Sequence, residues 1–333
     1  MATKWGIASG GKISHDFVVC LRSLPSEEHT IVAVATRSLD TAQKFAAEHQ
    51  IGKAYGSYQE LADDPDVEVV YIGSINTTHA SIAKIMMEKG KHLLIEKPMT
   101  LNLRLTTELI NIAKSKNLFL MEAIWSRFLP AYKFMMEQIE SGVIGEVHYV
   151  DANFGVNLES KERVMNKELG GGTILDLGVY AINLVLMALK GETPREIKAV
   201  GFLNESGVDA STCVSMKFAG NRLANISTHS KVQLPCEARI VGINGTIKLP
   251  YPMWAADKVI VNDKLHEFTF PDTVAPCNFT HSSGLRYEAM EVRRCLQNNL
   301  IESPFLTHRD SQVIAAMEDE IRKQIGVVYD QDT

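Results

Sequence analysis

Over the first 125 residues, short β-rich apolar runs alternate with stretches of helical periodicity. Residues 5–9 read as a strand that enters a helix ending near Ser23, and residues 30–36 (TIVAVAT) read as a second strand. Leu39–His49 places Ala42, Phe45 and Ala46 at i, i+3, i+4, the spacing of one buried helix face. A strand over 67–73 (VEVVYIG), a helix over 78–89, and strands at 92–95 and 118–121 with a helix over 102–116 between them complete the series. The strands are apolar almost throughout, so both sheet faces are expected to be covered. That predicts a parallel sheet with helices on each side.

The pattern changes near residue 145. Residues 147–156, 197–204, 208–218, 222–232, 238–243 and 258–261 read as consecutive strands, interrupted by one strong helix over 173–190. Val208, Ala210, Val214, Met216 and Phe218 alternate with Asp209, Ser211, Cys213, Ser215 and Lys217, which predicts an open, mainly antiparallel sheet with one polar face. Helices near 283–299 and 309–325 close the chain. The expected fold class is therefore α/β: an N-terminal Rossmann-type parallel sheet in residues 1–125, then an α+β domain in 126–333 for substrate binding and dimerisation.

Composition narrows the function. The 333 residues are 45% apolar and 22% charged, ordinary for a globular chain, and 34 Lys plus Arg against 40 Asp plus Glu give a net charge of −6. A mildly acidic chain has no electrostatic reason to bind nucleic acid or an anionic membrane. The longest apolar stretch, 177–189, falls short of a bilayer span and contains Asn183. The start of the chain lacks the pattern of a secretory signal. Five scattered cysteines without a C-x-x-C pair suggest a reducing, cytoplasmic setting with no disulfide framework. The ten histidines show no metal-ligand spacing, so no metal is expected.

Candidate chemistry starts at Ser9-Gly10-Gly11-Lys12-Ile13-Ser14, a turn from the first strand into a helix. Such a turn sets backbone amides and a helix N-terminus against a pyrophosphate. Of the three glycines in G-x-G-x-x-G only the middle one, Gly11, is kept; Ser9 and Ser14 replace the others. The second strand ends in Arg37-Ser38 rather than a carboxylate, which favours the 2′-phosphate of NADP over the bare ribose of NAD. A lysine, Lys97, leaves the edge of the 92–95 strand within Glu96-Lys97-Pro98, and Pro98 fixes the turn. Further on, Gly170-Gly171-Gly172 precedes Asp176 and Tyr180, spaced to share one helix face. The glycines allow close approach of backbone to a ligand or to another strand.

Taken in order, the glycine turn, Asn76-Thr77-Thr78-His79, Glu96-Lys97-Pro98 and Gly171-Gly172-x3-Asp176-x-Gly178-x-Tyr180 resemble the glucose–fructose oxidoreductase/inositol dehydrogenase (Gfo/Idh/MocA) family over the whole chain. Most members have His where this chain has Tyr180. That departure, with Trp5-Gly6-Ile7, Ala54-Tyr55-Gly56-Ser57-Tyr58 and Met121-Glu122-Ala123-Ile124-Trp125, resembles one branch of it. The resemblance implies NADP as coenzyme and a homodimer joined through the open sheet. It also implies catalytic roles for Lys97, Asp176 and Tyr180, and a coenzyme site including Tyr71, Asn76, His79 and Glu96. The implied activity is oxidation of trans-dihydrodiols of aromatic hydrocarbons, and of D-xylose or similar aldoses at C1. Another sugar or inositol dehydrogenase, or a catalytically silent NADP-binding sensor, are the rival readings.

Oxidising an alcohol needs a hydride acceptor and a base. A phenol has an ordinary pKa of about 10, and a cation about 4 Å away lowers it by roughly three units at an effective dielectric near 20. Tyr180 beside Lys97 is thus one candidate base, and Lys97 itself is the other. Trp125, Phe154, Trp254 and Phe279 are candidates for an aromatic wall against a flat diol or sugar face; aromatics at these positions serve equally well as core. The strand face bearing Ser211, Ser215, Asn225, Ser227 and His229 has few long charged side chains and is the expected dimer face.

Overall fold

The protein is described by a computed structural model covering residues 1–332. The chain runs β1 (Thr3–Ala8), α1 (Lys12–Leu21), β2 (His29–Ala35), α2 (Leu39–His49), β3 (Lys53–Tyr55), α3 (Tyr58–Asp63), β4 (Val69–Ile72), α4 (His79–Glu88), β5 (His92–Glu96), α5 (Leu103–Ser115) and β6 (Leu120–Ala123). It continues through α6 (Pro130–Glu140), β7 (Val147–Gly155), α7 (Glu162–Met165), α8 (Val179–Ala188), β8 (Glu196–Leu203), β9 (Asp209–Lys217) and β10 (Leu223–His229). The remaining elements are β11 (Ala238–Gly242), β12 (Gly245–Leu249), β13 (Lys258–Val261), β14 (Lys264–Glu267), α9 (Leu285–Gln297) and α10 (His308–Ile325).

These elements form two compact units. The first comprises residues 1–100, 104–128 and 270–308, and the second 101–103, 129–269 and 309–333. The late segment 270–308 thus belongs with the N-terminal elements, although its sequence follows the second sheet. The physical reason is Asp16 on α1. Its fully buried carboxylate accepts from the Asn278 and Phe279 amides at 2.7 and 3.0 Å and from Asn278 Nδ2 at 2.8 Å.

In the first unit six strands lie in the order β3-β2-β1-β4-β5-β6, all parallel. The order reverses between β1 and β4, so the carboxyl ends of those two strands flank the crevice where such sheets bind ligands. Strand and helix side chains such as Ala8, Val70, Ile72, Met86, Leu93 and Leu109 fill its core.

The second unit holds an eight-stranded sheet, β14-β13-β12-β11-β7-β10-β9-β8. It is mixed rather than purely antiparallel, because β7 and β10 run parallel while the other neighbours alternate. The expected polar face needs correcting at two places. Asp209 points into the buried side with Thr212, Val214 and Met216, because the β8–β9 register slips between Phe202 and Leu203. On the open side, β8 adds Val200 and Phe202, 72% and 79% exposed, opposite Cys213 and Ser211. Segment Lys167–Ala188 is long and apolar enough, by length and composition, to span a membrane. However, 94% of its most apolar window is buried inside the chain, the signature of a core helix. All five cysteines are free thiols.

Candidate active site

The glycine turn sits at the crevice between β1 and β4. Ser9, standing where a first glycine is usual, nonetheless adopts φ +92°, a backbone conformation costly for a residue with a side chain. Its amide donates to Ala35 O at 2.8 Å, which fixes the bend. A Cβ on Gly10 would stand 3.0 Å from the Phe45 ring, so only glycine fits there comfortably. Gly11 caps α1, and the first helical bond is His15 N–H to Gly11 O, which leaves the amides before it, including that of Ile13, without helical acceptors. Across the crevice Gly73 has no room for a side chain either: its Cβ would lie 2.5 Å from Ser14 Oγ. That hydroxyl is fully buried and has no partner among the described residues. A backbone-lined cradle facing a helix N-terminus fits the diphosphate of a dinucleotide.

Arg37 and Ser38 lie between β2 and α2. Arg37 is exposed and forms no ion pair among the described residues, and Ser38 is the N-cap of α2 without a side-chain capping bond. Thr36 Oγ1 donates to Ser38 O at 2.7 Å and holds the turn. A guanidinium and a hydroxyl are therefore presented at a helix N-terminus, a setting suited to a phosphate.

Around Lys97 the structure is tightly braced. Tyr71 is fully buried, stacked on Phe17 at 3.9 Å, and donates its hydroxyl to Glu96 Oε1 at 2.6 Å. It therefore supports the turn from the core. The other Glu96 oxygen accepts from Lys97 N at 3.2 Å, and Met99 N donates to Glu122 Oε1 at 2.8 Å. The Lys97–Pro98 peptide is cis. His79, fully buried, places its ring between the two turns, Nδ1 2.9 Å from Pro98 O and Nε2 3.1 Å from Ser74 O, and burial lowers its pKa. Asn76 lies half-buried on a short helical turn just before α4. Sequence reasoning did not find Glu288. It is wholly buried on α9, and burial together with the nearby Glu96 charge raises its pKa well above the usual range, keeping it a neutral acid.

In the second unit, the single α-helix expected from Thr173 starts instead with a π-helical turn, Ile174–Gly178, ahead of α8. The simple i, i+4 relation of Asp176 and Tyr180 is therefore replaced by a wider turn, a feature frequent at functional sites. Asp209 anchors its start: one carboxylate oxygen accepts from Thr173 Oγ1 at 2.6 Å and Ile174 N at 2.8 Å. The glycines ahead of it serve chain packing. Cβ atoms on Gly171 and Gly172 would each lie 2.4 Å from a neighbour, Val164 O and Asp209 Oδ1 respectively, and Tyr329 donates its hydroxyl to Gly171 O. Asp176 is buried and receives a two-pronged contact from Arg163 of α7, at 2.8 and 3.3 Å. No local pattern marks Arg163, since the pairing depends on how α7 folds back.

Tyr180 is 6% exposed, with the Phe154 ring 6.0 Å away. Phe154 stacks on Trp254 at 4.0 Å and 14°, and Tyr251 meets Trp254 edge-on. Half of the expected aromatic wall therefore forms within one unit, next to the candidate base. Trp125, 4% exposed, and Phe279, 44% exposed, both belong to the first unit.

Residues 3–124 match the oxidoreductase family with an NAD-binding Rossmann fold, and residues 132–248 match the GFO/IDH/MocA C-terminal domain. The chain is 46% identical over 333 residues to the trans-1,2-dihydrobenzene-1,2-diol dehydrogenase of Danio rerio, covering all of both chains. It is 39% identical over 332 residues to the Homo sapiens protein of that name, covering 100% of this chain and 99% of the relative. Among solved structures, levoglucosan dehydrogenase with NADH and L-sorbose superposes with a TM-score of 0.84 at 19% identity, over 99% of this chain and 100% of that one. KijD10, a 3-ketoreductase from Actinomadura kijaniata with NADP and TDP-benzene, superposes with a TM-score of 0.81 at 20% identity, over 98% of each chain. Matched at both domains and along its whole length, the chain belongs to the Gfo/Idh/MocA family of oxidoreductases.

Proposed function

We propose that this protein is an NADP-dependent dehydrogenase that oxidises trans-dihydrodiols of aromatic hydrocarbons to catechols, and D-xylose and similar aldoses at C1. The observation that carries the reading is the flat Phe154–Trp254 stack beside Tyr180, in a chain 46% identical from end to end to a dehydrogenase named for such a diol. A planar aromatic surface recognises a ring or a sugar face, and a phenol beside it reaches a hydroxyl proton.

The Ser9–Ser14 turn would hold the diphosphate, and Arg37 with Ser38 the 2′-phosphate. When bound, the coenzyme supplies the hydride acceptor. The chain's own groups handle the proton. Tyr180 takes it from the substrate hydroxyl and returns it in the reverse direction, with Lys97 as the cation that makes a phenolate accessible; Lys97 acting directly as base is the alternative. Arg163 holds Asp176 in one orientation, from which the carboxylate positions its catalytic neighbours. Val200 and Phe202 on the open sheet support a homodimer formed through that face, and five free thiols support a reducing, cytoplasmic location.

The test is a panel of diols and aldoses with NADP and with NAD, followed by reduced-nicotinamide absorbance, on wild type and Tyr180→Phe. We expect turnover of a dihydrodiol or D-xylose, and a kcat about 100-fold or more lower in the variant with NADP affinity little changed. Near-normal kcat in folded Tyr180→Phe removes Tyr180 from the mechanism, and no turnover of any diol or aldose removes the proposed activity.

A further inference from the structure

Three ligating side chains meet on the first unit, on elements other than those carrying the candidate catalytic residues. His15 projects from α1, while Glu48 and His49 belong to the last turn of α2. Glu48 Oε1 lies 3.3 Å from His15 Nδ1 and 3.9 Å from His49 Nε2, and one ligand atom from each residue falls within 4.8 Å of the others. We propose that His15, Glu48 and His49 form a binding site for a divalent transition-metal ion of the zinc class.

The hydrogen bonding around the cluster leads to this assignment. His15 Nε2 faces the Pro276 carbonyl oxygen at 3.1 Å. A carbonyl only accepts, so Nε2 carries the proton, and in the neutral ring Nδ1 keeps its lone pair toward Glu48. Donation from the far ring nitrogen to a backbone carbonyl is how metal-binding histidines are usually oriented. His49 is 3% exposed, and its Nε2 is buried with no hydrogen-bond partner among the described residues. Phe45 packs on its ring at 4.3 Å and His15 at 4.8 Å, so the orphan nitrogen is held in place. One nitrogen from each imidazole and a carboxylate oxygen then converge, an arrangement that a cation stabilises.

The spacing suits zinc. Tetrahedral bonds of about 2.0–2.1 Å hold neighbouring ligand atoms roughly 3.3 Å apart. The His15–Glu48 separation already matches, the Glu48 side chain, 62% exposed, is free to shorten its 3.9 Å to His49, and the partly exposed His15 ring closes the distance between the two imidazoles as an ion binds. Two nitrogens and one oxygen are a poor set for calcium or magnesium, which prefer oxygen, and a good one for zinc, copper or nickel. The nearby cation, Arg22, is engaged with Gln50 Oε1 at 3.0 Å. A bound ion would link α1, α2 and, through the Pro276 carbonyl, the segment 270–308.

Zinc chloride alone is the probe, titrated by calorimetry into full-length protein freed of metal with a chelator. We expect one ion per chain with a Kd of about 10 µM or tighter. Glu48→Gln, which changes only an exposed side chain, should weaken binding about tenfold or more, and His15→Gln/His49→Gln should abolish it. Cys277→Ser should bind like wild type, and circular dichroism reports whether each variant is folded. The proposal is overturned by weaker binding to wild type, by unchanged binding in folded Glu48→Gln, or by loss of binding in Cys277→Ser, which would place the ion on the thiols.

Discussion

Replacing Asp209 should separate the roles of its charge and its shape. Asp209→Ala removes the acceptor of the Ile174 amide and of the Thr173 hydroxyl. Thr173 retains Thr228 Oγ1 at 2.7 Å, so the buried Ile174 amide is left without a partner and the Thr212 hydroxyl loses its 3.4 Å contact. That orphan costs about 1–3 kcal/mol, and the cavity adds about 1–2 kcal/mol. Relief from burying a carboxylate, 1% exposed with one oxygen unpartnered, offsets part of this. The net expectation is a loss of about 2–4 kcal/mol. Asp209→Asn keeps an acceptor and should cost only about 1 kcal/mol.

The pH dependence adds a check on sign. Burial raises the Asp209 pKa, so the folded state binds its proton more tightly than the unfolded chain does. Its contribution is then fully present below the ordinary carboxylate pKa and declines as pH rises toward the raised value. Asp209→Asn should flatten that decline. Urea denaturation followed by circular dichroism, with amide exchange at Ile174, measures both effects. Alanine and asparagine variants of equal stability, or an alanine variant within about 1 kcal/mol of wild type, would refute the role assigned to the carboxylate.

Three further outcomes are expected. Arg37→Asp should raise the KM for NADP at least about tenfold more than that for NAD, measured by steady-state kinetics; equal losses would mean that Arg37 does not contact the 2′-phosphate. The neighbouring Cys20 thiol brings the Cys277 thiol down to about 7. Iodoacetamide labelling of Cys277, read by mass spectrometry, should therefore rise through neutral pH and level off above it. Cys236 and Cys295, whose thiols burial pushes up, should stay unlabelled in the folded protein. Light scattering at micromolar concentration should give twice the chain mass, and Phe202→Lys should halve it; a monomeric wild type would dismiss the dimer.

Much of the fold is legible in the sequence because burial imposes period. β1, β2, β4, β5 and β6 are largely apolar, and β7, β9 and β10 alternate, so the apolar pattern outlines most of both sheets. β3, β12 and β14 escape that reading, because each is three to five residues long and carries a lysine (Lys53, Lys248, Lys264) that breaks the apolar run. The site is legible where chemistry lies in one short segment, as in the glycine turn and the Glu96-Lys97-Pro98 turn. It is hidden where partners are distant in the chain. Arg163 reaches Asp176 only through a local fold-back, Asp209 turns inward through a slip in register, and His15 meets Glu48 and His49 across two helices.

The Asp16 contacts also have a consequence for the order of events during synthesis. Asn278 lies 262 residues downstream of the carboxylate that it covers. At about 5–20 residues per second, the ribosome needs on the order of 13–50 s to deliver it. During that interval the first sheet exists without residues 270–308, and α1 carries a buried-type carboxylate with no amide to receive. The long inserted segment 129–269 has emerged by then and can complete its own sheet first. A nascent chain stalled before residue 278 should accordingly keep its glycine-turn half open to protease, and one stalled well beyond residue 308 should protect it.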